Sequence, residues 1–371
     1  MKFESITRRT CLAALGALRI VRRGSGDPEA RLAEVAARRG IQYGATPEID
    51  LARAPQGYID LLARHCRLIA PILSWGYVAK RRGEYDYSRQ QGTLSFVDTH
   101  AMKITGAHLL WHESTPEWFK ATGDRAAAEQ MVREHIEAIG RHFAGRIYSW
   151  NVVNEGINPR EGTPGGLRMT PYLAKLGPEY LDLAFHAARA ADPGALLVYN
   201  EYNLEQDRSE DEAKRRAVLD LLDSLKRRKA PVDAIGLQAH LNLKDFRFQP
   251  ELYRNFLKEL AARGVKILIT ELDVLDASLP PDVPQRDQTV ADTYARYLET
   301  ALDEPAVTAL VTWGLSDRFT WLTPRHSERF GRPDGLPNRP LPFDEEYRPK
   351  PAYRAILKAL ESAPLRTTAP V

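Results

Sequence analysis

Short apolar segments alternate with amphipathic segments along nearly the whole chain, and this alternation limits the fold more than any other feature. The apolar segments are rich in β-branched residues, which is typical of buried parallel strands, whereas the amphipathic segments have the length and periodicity of helices. Eight apolar segments occur, at residues 41–46, 68–74, 103–111, 147–155, 196–200, 234–238, 266–271 and 309–315. Helices are predicted at residues 126–143, 180–191, 212–228, 250–263, 289–303 and 352–362.

Eight repeats of a strand followed by a helix predict an α/β fold, namely a (β/α)8 TIM barrel that forms a single domain. A length of 371 residues suits one such barrel. We assign residues 28–362 to the barrel, and we expect a C-terminal tail at 363–371. The proline-rich stretch 332–351 is expected to be a long ordered loop before the last helix. A doubly wound open sheet is disfavoured because Gly44-Ala-Thr-Pro47 is not a glycine-rich phosphate loop.

The composition is that of an ordinary globular protein, with 43% hydrophobic and 27% charged residues. No apolar stretch approaches the roughly 20 residues of a membrane helix, so we expect no membrane association. The net charge of +3 is spread along the chain, and no basic tract indicates a nucleic-acid partner. Cys11 and Cys66 are the two cysteines, too few for a disulfide framework.

The N-terminal segment 1–27 is either a signal or a disordered basic tail. Within Ser5-Ile-Thr-Arg-Arg-Thr-Cys-Leu-Ala-Ala-Leu-Gly-Ala-Leu18 an arginine pair precedes a weakly apolar stretch, which resembles a twin-arginine export signal. Arg19 ends that apolar stretch early, and no clear small-x-small cleavage site follows. We predict a periplasmic or secreted protein, with a cytoplasmic location as the alternative.

Two glutamates, Glu155 and Glu271, end predicted strands in different parts of the chain. The C-terminal ends of barrel strands meet at one face, where active sites of this fold gather. A carboxylate there is costly to desolvate, and for either one alone a salt bridge to a neighbouring loop is the simpler interpretation. Together they indicate a retaining glycosidase, which holds an acid and a nucleophilic carboxylate about 5 to 5.5 Å apart.

Other polar and aromatic residues end predicted strands at the same face: His112, Asn154, Asn200, Gln238, His240, Asp273 and Trp313. Asn154 precedes Glu155, where an amide can donate a hydrogen bond to a sugar 2-hydroxyl, although a polar strand cap is the alternative. His240 and Asp273 are expected to form a pair that orients Glu271 and keeps it ionised, or else a purely structural pair.

Tryptophan rings offer flat apolar faces on which sugars stack. We expect Trp313 to bind substrate, followed by Trp111, and Trp321 offers a further ring. A lone tryptophan is more often part of a core, and the remaining ones are expected to pack there: Trp75, Trp118 and Trp150.

Metal-dependent and serine-based hydrolysis fit the sequence less well. The nine histidines include no His-x-His at a strand end and no His-Glu-x-x-His helix, so no metal is expected. A Gly-x-Ser-x-Gly motif is also absent from the sequence. We predict no cofactor.

The most specific motifs are Trp150-Asn-Val-Val-Asn-Glu155, Gly236-Leu-Gln-Ala-His-Leu241, Thr270-Glu-Leu-Asp273 and Trp313-Gly-Leu-Ser-Asp317 followed by Trp321. Weaker support comes from Arg82-Gly-Glu-Tyr-Asp-Tyr87, Leu110-Trp-His112 and Tyr199-Asn-Glu-Tyr-Asn203. With these motifs the chain resembles glycoside hydrolase family 10, the retaining β-1,4-xylanase family, from about residue 32 to residue 359. The resemblance implies a (β/α)8 barrel without metal or organic cofactor.

The resemblance also implies roles for single residues. Glu155 would be the acid/base and Glu271 the nucleophile, with Asn154 as the partner of the sugar 2-hydroxyl. The supporting residues would be Gln238, His240 and Asp273. The substrate-binding residues would be Trp111, His112, Tyr202, Trp313 and Trp321.

The chain departs from the family pattern at the positions that grip glycone sugars. Where the family has an acid, an amide and a lysine after the second strand, and a histidine and a glutamine at the third, this chain has Ala70, Pro71, Ser74, Ala107 and Ser114. Neighbouring polar residues are candidates for compensation: Lys80, Arg81, His108 and Glu113. Because a site built to hydrogen-bond hydroxyls discriminates strongly, glycone specificity should change while the cleavage apparatus remains.

The leading hypothesis is a retaining endo-acting hydrolase of a β-linked polysaccharide, most simply β-1,4-xylan. A carbohydrate-binding or sensing barrel and a transglycosylase are the alternatives, and product analysis would separate them. We expect a monomer whose partner is a polysaccharide or oligosaccharide.

Overall fold

A computed structural model describes residues 30–322 and 330–366. The strands are β1 (Gln42–Ala45), β2 (Leu68–Ile69), β3 (Lys103–Ile104), β4 (Ala107–Trp111), β5 (Ser149–Asn154), β6 (Leu196–Glu201), β7 (Ala234–Leu237), β8 (His240–Asn242), β9 (Lys266–Leu275) and β10 (Val307–Thr312). The helices are α1 (Leu32–Ala37), α2 (Gln56–His65), α3 (Trp75–Val78), α4 (Gln91–Thr99), α5 (Glu117–Lys120), α6 (Arg125–Phe143), α7 (Pro171–Leu176), α8 (Tyr180–Ala191), α9 (Ser209–Arg227), α10 (Pro250–Ala262), α11 (Val283–Ala301) and α12 (Pro351–Ser362). None of these helices is long and apolar enough to cross a membrane.

The strands form one parallel sheet in the order β3-β2-β1-β10-β9-β7-β6-β5-β4, and β8 extends the pairing along β9. A parallel bridge between Ile104 and Ile147 joins β3 to the segment that leads into β5, so the sheet closes on itself. β3 and β4 are two parts of one barrel strand, separated at Gly106, whose φ is +68°. The predicted (β/α)8 barrel is confirmed, and each predicted strand contributes to it.

Helix starts follow from capping residues. Asp124 accepts hydrogen bonds from the backbone N–H groups of Ala126 and Ala127 at the start of α6. Asp282 caps α11 in the same way, so that helix begins at Val283 and not near residue 289 as predicted. The proline after Val283 does not interrupt the helix, because the first turn needs no intrahelical N–H donor.

The second predicted strand is shorter than its apolar sequence suggests. Ala70 still donates its N–H to the carbonyl of Ala45 at 3.1 Å, but Pro71 has no N–H with which to continue the ladder. The regular strand therefore ends at Ile69, and residues 70–74 lead into α3 as an irregular segment.

The C-terminal part of the barrel is held by buried ion pairs. Asp276, after β9, accepts two hydrogen bonds from Arg286 of α11, at 2.8 and 2.5 Å. Arg332 donates to the carbonyl of Asp276 at 2.8 Å, and so ties the proline-rich stretch to the barrel. Arg366 is buried and donates to the carbonyls of Leu302 and Val307, so the packed chain continues past residue 362, where the tail was expected to begin.

Candidate functional site

The polar residues predicted at strand ends meet at the C-terminal face of the barrel. Asn154 is the last residue of β5, and Glu155 follows it with a φ of +59°. Consecutive residues of an extended strand point to opposite sides, so this left-handed turn lets both side chains reach the same space. The two side chains are in contact there, since Asn154 Nδ2 donates a hydrogen bond to Glu155 Oε1 at 3.1 Å.

Two amides hold the carboxyl group of Glu155. Gln238 Nε2 donates to Glu155 Oε1 at 3.1 Å, alongside the bond from Asn154. Arg168 fixes the backbone of the same residue, since its Nε donates to the carbonyl oxygen of Glu155 at 2.7 Å. Glu155 is half-buried, so one side of its carboxyl group faces the open end of the barrel.

Asn200, at β6, links the two glutamates. Its Nδ2 donates to Asn154 Oδ1 and to Glu271 Oε1, both at 2.8 Å. Its Oδ1 accepts a bond of 2.8 Å from Thr270 Oγ1, which fixes the orientation of the amide. One chain of hydrogen bonds thus runs from Glu155 through Asn154 and Asn200 to Glu271.

Glu271 lies in β9, at an irregularity in the pairing of that strand. Ile269 pairs with Leu310 of β10, and Leu272 pairs with Thr312. Two residues of β9 therefore lie between these pairs, but only one residue of β10 does. Such a bulge re-aims side chains. It allows the neighbouring side chains of Thr270 and Glu271 both to contact Asn200.

A histidine between two carboxylates completes the surroundings of Glu271. His240 Nε2 lies 3.2 Å from Glu271 Oε2, and its Nδ1 lies 2.8 Å from Asp273 Oδ1. Burial alone would lower the pKa of His240, but Asp273 and Glu271 raise it well above its ordinary value. The ring is therefore protonated and donates to both carboxylates, and Trp321 Nε1 donates to the second oxygen of Asp273 at 2.7 Å.

These neighbours keep Glu271 ionised. Burial alone would raise its pKa, but the adjacent rings of His108 and His240 outweigh that effect and lower the pKa to about 2. His108 Nε2 is 3.9 Å from Glu271 Oε1, too far for a hydrogen bond but close enough for an electrostatic interaction. An ionised, oriented carboxylate of this kind is what a nucleophile requires.

The predicted aromatic binding residues surround the same space. Trp313 and Trp321 lie with their ring centroids 6.1 and 5.4 Å from that of His240. Trp111 is the last residue of β4 and His112 follows it, and both are half-buried. Tyr202 is held by Arg168, which donates to its hydroxyl at 2.7 Å, and by Lys214, whose Nζ lies 3.4 Å from the ring centroid.

The tryptophans expected to pack do so. Trp75 and Trp150 are fully buried, and Trp75 stacks on His135 with ring centroids 4.2 Å apart. Trp118 is half-buried and donates to the carbonyl of Ala79.

Of the four residues considered as compensation for the missing glycone contacts, His108 and Glu113 lie near the candidate glutamates. Lys80 and Arg81 are exposed and bond elsewhere, Lys80 to the carbonyl of Gly76 and Arg81 to Glu84. Ala70, Pro71 and Ser74 are buried. The side chains after β2 therefore bring neither a charged group nor an amide into the site.

Potential ligand atoms of His112, Glu113 and Glu155 lie within 4.8 Å of one another, a spacing that suits a metal ion, and this is the one such group in the described residues. Burial, the main cause, lowers the pKa of His112 to about 4, so its ring is neutral and able to bind a cation. A cation there would occupy Glu155 and prevent it from transferring a proton.

Three residues that shape this site were not among the site residues predicted from the sequence. Arg168 lies in a loop without a motif, and Thr270, although part of the motif Thr270-Glu-Leu-Asp273, was given no role of its own. Glu48 follows β1 by three residues, and its charge interacts with those of Asp273 and Glu271. Glu48 lies just beyond the predicted strand at residues 41–46. A search that included the residues directly after each strand would have found it.

Comparisons with known proteins agree with this geometry. The family model for glycosyl hydrolase family 10 matches residues 31–359. Endo-1,4-beta-xylanase B of Thermotoga neapolitana is 31% identical over 309 residues, which cover 82% of this chain and 83% of that protein. A beta-1,4-xylanase of Dictyoglomus thermophilum is 31% identical over 316 residues, 81% of this chain and 84% of that protein.

A solved structure gives the same result. The crystal structure of native xylanase 10B from Thermotoga maritima superposes with a TM-score of 0.79 at 29% identity, over 90% of this chain and 98% of that one. The family match covers most of the sequence and includes the strands that carry both glutamates. The chain belongs to glycosyl hydrolase family 10 and is a glycoside hydrolase.

Proposed function

We propose that the protein cleaves a β-linked polysaccharide internally and with retention, with β-1,4-xylan as the first substrate to test, using Glu271 as nucleophile and Glu155 as acid/base. The main support is geometric, because Asn200 and His240 hold the two carboxyl oxygens of Glu271 and a chain of hydrogen bonds joins it to Glu155. In agreement with this, His108 and His240 lower the pKa of Glu271 to about 2 against the effect of burial. The names of the relatives support the choice of xylan, since they are xylanases of similar length.

The first chemical step forms a sugar ester. Glu155 gives its proton to the glycosidic oxygen while a carboxylate oxygen of Glu271 attacks the anomeric carbon, so the bond to the leaving sugar breaks as the ester bond forms. Glu271 Oε1 and Oε2 are held by Asn200 and His240, so the carboxylate is oriented before the substrate arrives.

The second step returns the enzyme to its starting state. Glu155, now a carboxylate, takes a proton from water as the water oxygen attacks the anomeric carbon and displaces Glu271. The amides of Asn154 and Gln238 donate to Glu155 Oε1, and such donors stabilise its negative charge between the two steps. Two inversions at one carbon give net retention.

Glu271→Ala tests the nucleophile. We expect loss of turnover by at least about 10⁴-fold on xylan and on an aryl β-xylobioside. Azide should partly restore cleavage of the aryl substrate and give a product of inverted anomeric configuration. Glu117→Ala, at a residue whose side chain is 87% exposed, serves as the control. Near-normal rates in Glu271→Ala would refute the assignment.

A panel of purified β-linked polysaccharides, assayed for new reducing ends, tests the substrate. Release of mixed oligosaccharides from xylan is the expected result. Binding of oligosaccharides without cleavage of any β-glycan would favour a binding barrel, and mainly longer products at high acceptor concentration would favour a transglycosylase.

We also propose that the protein acts outside the cytoplasm as a monomer. A polysaccharide substrate cannot cross a membrane intact, and the segment that resembles a twin-arginine signal lies at residues 5–18, outside the described residues. Replacement of Arg8 and Arg9 by lysine should leave the protein in the cytoplasmic fraction. Sedimentation equilibrium should give a mass near that of one chain.

A further inference from the structure

Several buried polar atoms without hydrogen-bond partners lie in or just beyond the first barrel strands. Within the described residues they include Thr46 Oγ1, Glu48 Oε1, Ser74 Oγ, His108 Nε2, Trp111 Nε1 and His112 Nδ1. The side chains that contact Glu155 and Glu271 are, by contrast, bonded to one another, and they are Asn154, Asn200, Gln238, His240 and, through His240, Asp273. A buried polar atom needs a hydrogen-bond partner, and at the open end of the barrel that partner is solvent or a bound ligand.

Glu48 is the carboxylate of this group, and its backbone is held in place. It follows Pro47 beyond the end of β1 and has a φ of +54°, a conformation that residues other than glycine seldom adopt. Tyr58, in α2, donates its hydroxyl to the carbonyl of Pro47 at 3.1 Å and so fixes the turn. The side chain is half-buried, with Oε1 fully enclosed.

The charges around Glu48 are mainly those of the nucleophile region. Burial raises its pKa to about 7, and the charges of Asp273 and Glu271 add to that effect, whereas His240 opposes it. The positive charge of His240 is already shared between Asp273 and Glu271 through hydrogen bonds. Glu48 is thus an acidic group at the end of β1, within electrostatic reach of Glu271 and Asp273.

We propose that Glu48 is a specificity-determining residue that accepts hydrogen bonds from hydroxyl groups of the glycone sugar, and that it selects sugars without a carboxylate. This inference rests on the proposed function. At the end of β2, Ala70 and Pro71 carry no hydrogen-bonding side chain, so β1 supplies the acceptor at this side of the site. Three acidic groups, Glu48, Glu271 and Asp273, would repel a uronic acid in the same position.

Glu48→Gln and Glu48→Ala test the proposal, with Glu117→Gln as the exposed control. For unsubstituted xylotetraose at pH 8, above the pKa of about 7 of Glu48, we expect kcat/KM to fall by roughly 10- to 100-fold in both variants, mainly through KM, because a hydrogen bond to a charged group is lost. The control should keep the wild-type value. Thermal unfolding of each variant checks that it is folded, and Glu48→Gln decides if Glu48→Ala does not fold.

A second readout separates sugar recognition from a merely structural role. At pH 8, where Glu48 is mostly ionised, kcat/KM for unsubstituted xylotetraose should exceed that for a xylotetraose with glucuronic acid on a glycone sugar, so their ratio should be above one in the wild type. Glu48→Gln should lower this ratio by about tenfold, since one of the repelling charges is removed. Wild-type kcat/KM together with a wild-type ratio in Glu48→Gln would overturn the proposal.

Failure of this inference is distinguishable from failure of the proposed function. If the wild type cleaves no β-glycan, the proposed function fails, and calorimetric titration of wild type and Glu48→Gln with xylotetraose still tests the recognition. Equal affinities in that titration would refute a role of Glu48, and a weaker affinity in Glu48→Gln would support it.

Discussion

At the scale of single residues, the neighbours of a buried carboxylate decide what it does. Glu201 and Glu271 are both buried near the ends of barrel strands. Glu201 is bonded by Lys214 Nζ at 2.7 Å, by the hydroxyl of Tyr199 and by two backbone N–H groups, so its bonding capacity is used within the fold. Glu271 is held by one amide and one imidazolium, which orient it without enclosing it in backbone.

His240→Gln should shift the acid limb of kcat/KM to higher pH. His240 lowers the pKa of Glu271, which is about 2, so its loss raises that pKa toward the ordinary glutamate value of about 4. The nucleophile must be ionised, so activity at low pH is lost first. The pH profile of an aryl xylobioside measures the shift, with His186→Gln on the exposed face of α8 as control. An acid limb that does not move would contradict the role of His240.

At the scale of elements, close approach between strands sets the geometry of the site. A side-chain Cβ at Gly236 of β7 would lie 2.0 Å from Asn200 Oδ1 and 3.0 Å from Thr270 Cγ2. Glycine at this position therefore leaves room for the amide that links the two glutamates. The left-handed turn at Glu155 after β5 and the bulge of β9 also set the geometry, since each turns a side chain that a regular strand would point elsewhere.

Gly236→Ala should displace Asn200 and so misplace both glutamates. We expect a loss of stability of about 1 to 3 kcal/mol and a fall in kcat of at least about tenfold. Urea unfolding and steady-state kinetics measure the two effects. Gly194→Ala is the matched control, because a Cβ there meets no atom within 4 Å. Wild-type kcat in Gly236→Ala would show that the position of Asn200 does not matter.

A second prediction at this scale concerns the ion pair between Asp276, which follows β9, and Arg286 of α11. Arg286 and Asp276 are both almost fully buried, and Arg286 is also bonded to the carbonyl of Pro337. Arg286→Met leaves the carboxylate of Asp276 without its main partner, which should cost about 3 to 5 kcal/mol. The double variant with Asp276→Asn should recover part of this loss. A single variant as stable as wild type in urea would contradict the expected cost.

At the scale of the whole molecule, buried histidines link stability to pH. His65, the last residue of α2, and His135, within α6, are both buried. Burial is the main cause that lowers their pKa values, to about 4 for His65 and about 3 for His135. In the unfolded chain each histidine binds a proton near pH 6.5, whereas in the folded chain it does so only at much lower pH. The contribution of these neutral rings to the free energy of unfolding is therefore complete above about pH 6.5 and is lost as the pH falls.

The free energy of unfolding should therefore fall between pH 6.5 and pH 4, by up to about 1.4 kcal/mol per pH unit for each of these histidines. His135→Gln should reduce the slope by that amount, because glutamine does not titrate. Urea unfolding at several pH values measures both slopes, and His186→Gln, exposed on α8, is the control. Equal slopes in wild type and His135→Gln would contradict the prediction.

Much of this protein follows from its sequence alone, because the signals concerned are local. The alternation of apolar and amphipathic segments specifies eight barrel strands, and the predicted helix at residues 180–191 has the bounds of α8. Strand ends are readable in the same way, and the fold brings Glu155, His240 and Glu271 to one face. The start of α11 was predicted too late, since its cap Asp282 lies outside the periodic stretch.

The tertiary structure alone decided which side chains meet. Lys80, Arg81, His108 and Glu113 were equal candidates in the sequence, yet Lys80 and Arg81 bond to their own loop while His108 lies beside Glu271. The left-handed turns at Glu48 and Glu155 depend in the same way on packing between distant segments. The physical reason is that periodicity fixes which face a strand buries, whereas a side chain's partners and ionisation depend on groups that only the closed barrel brings together.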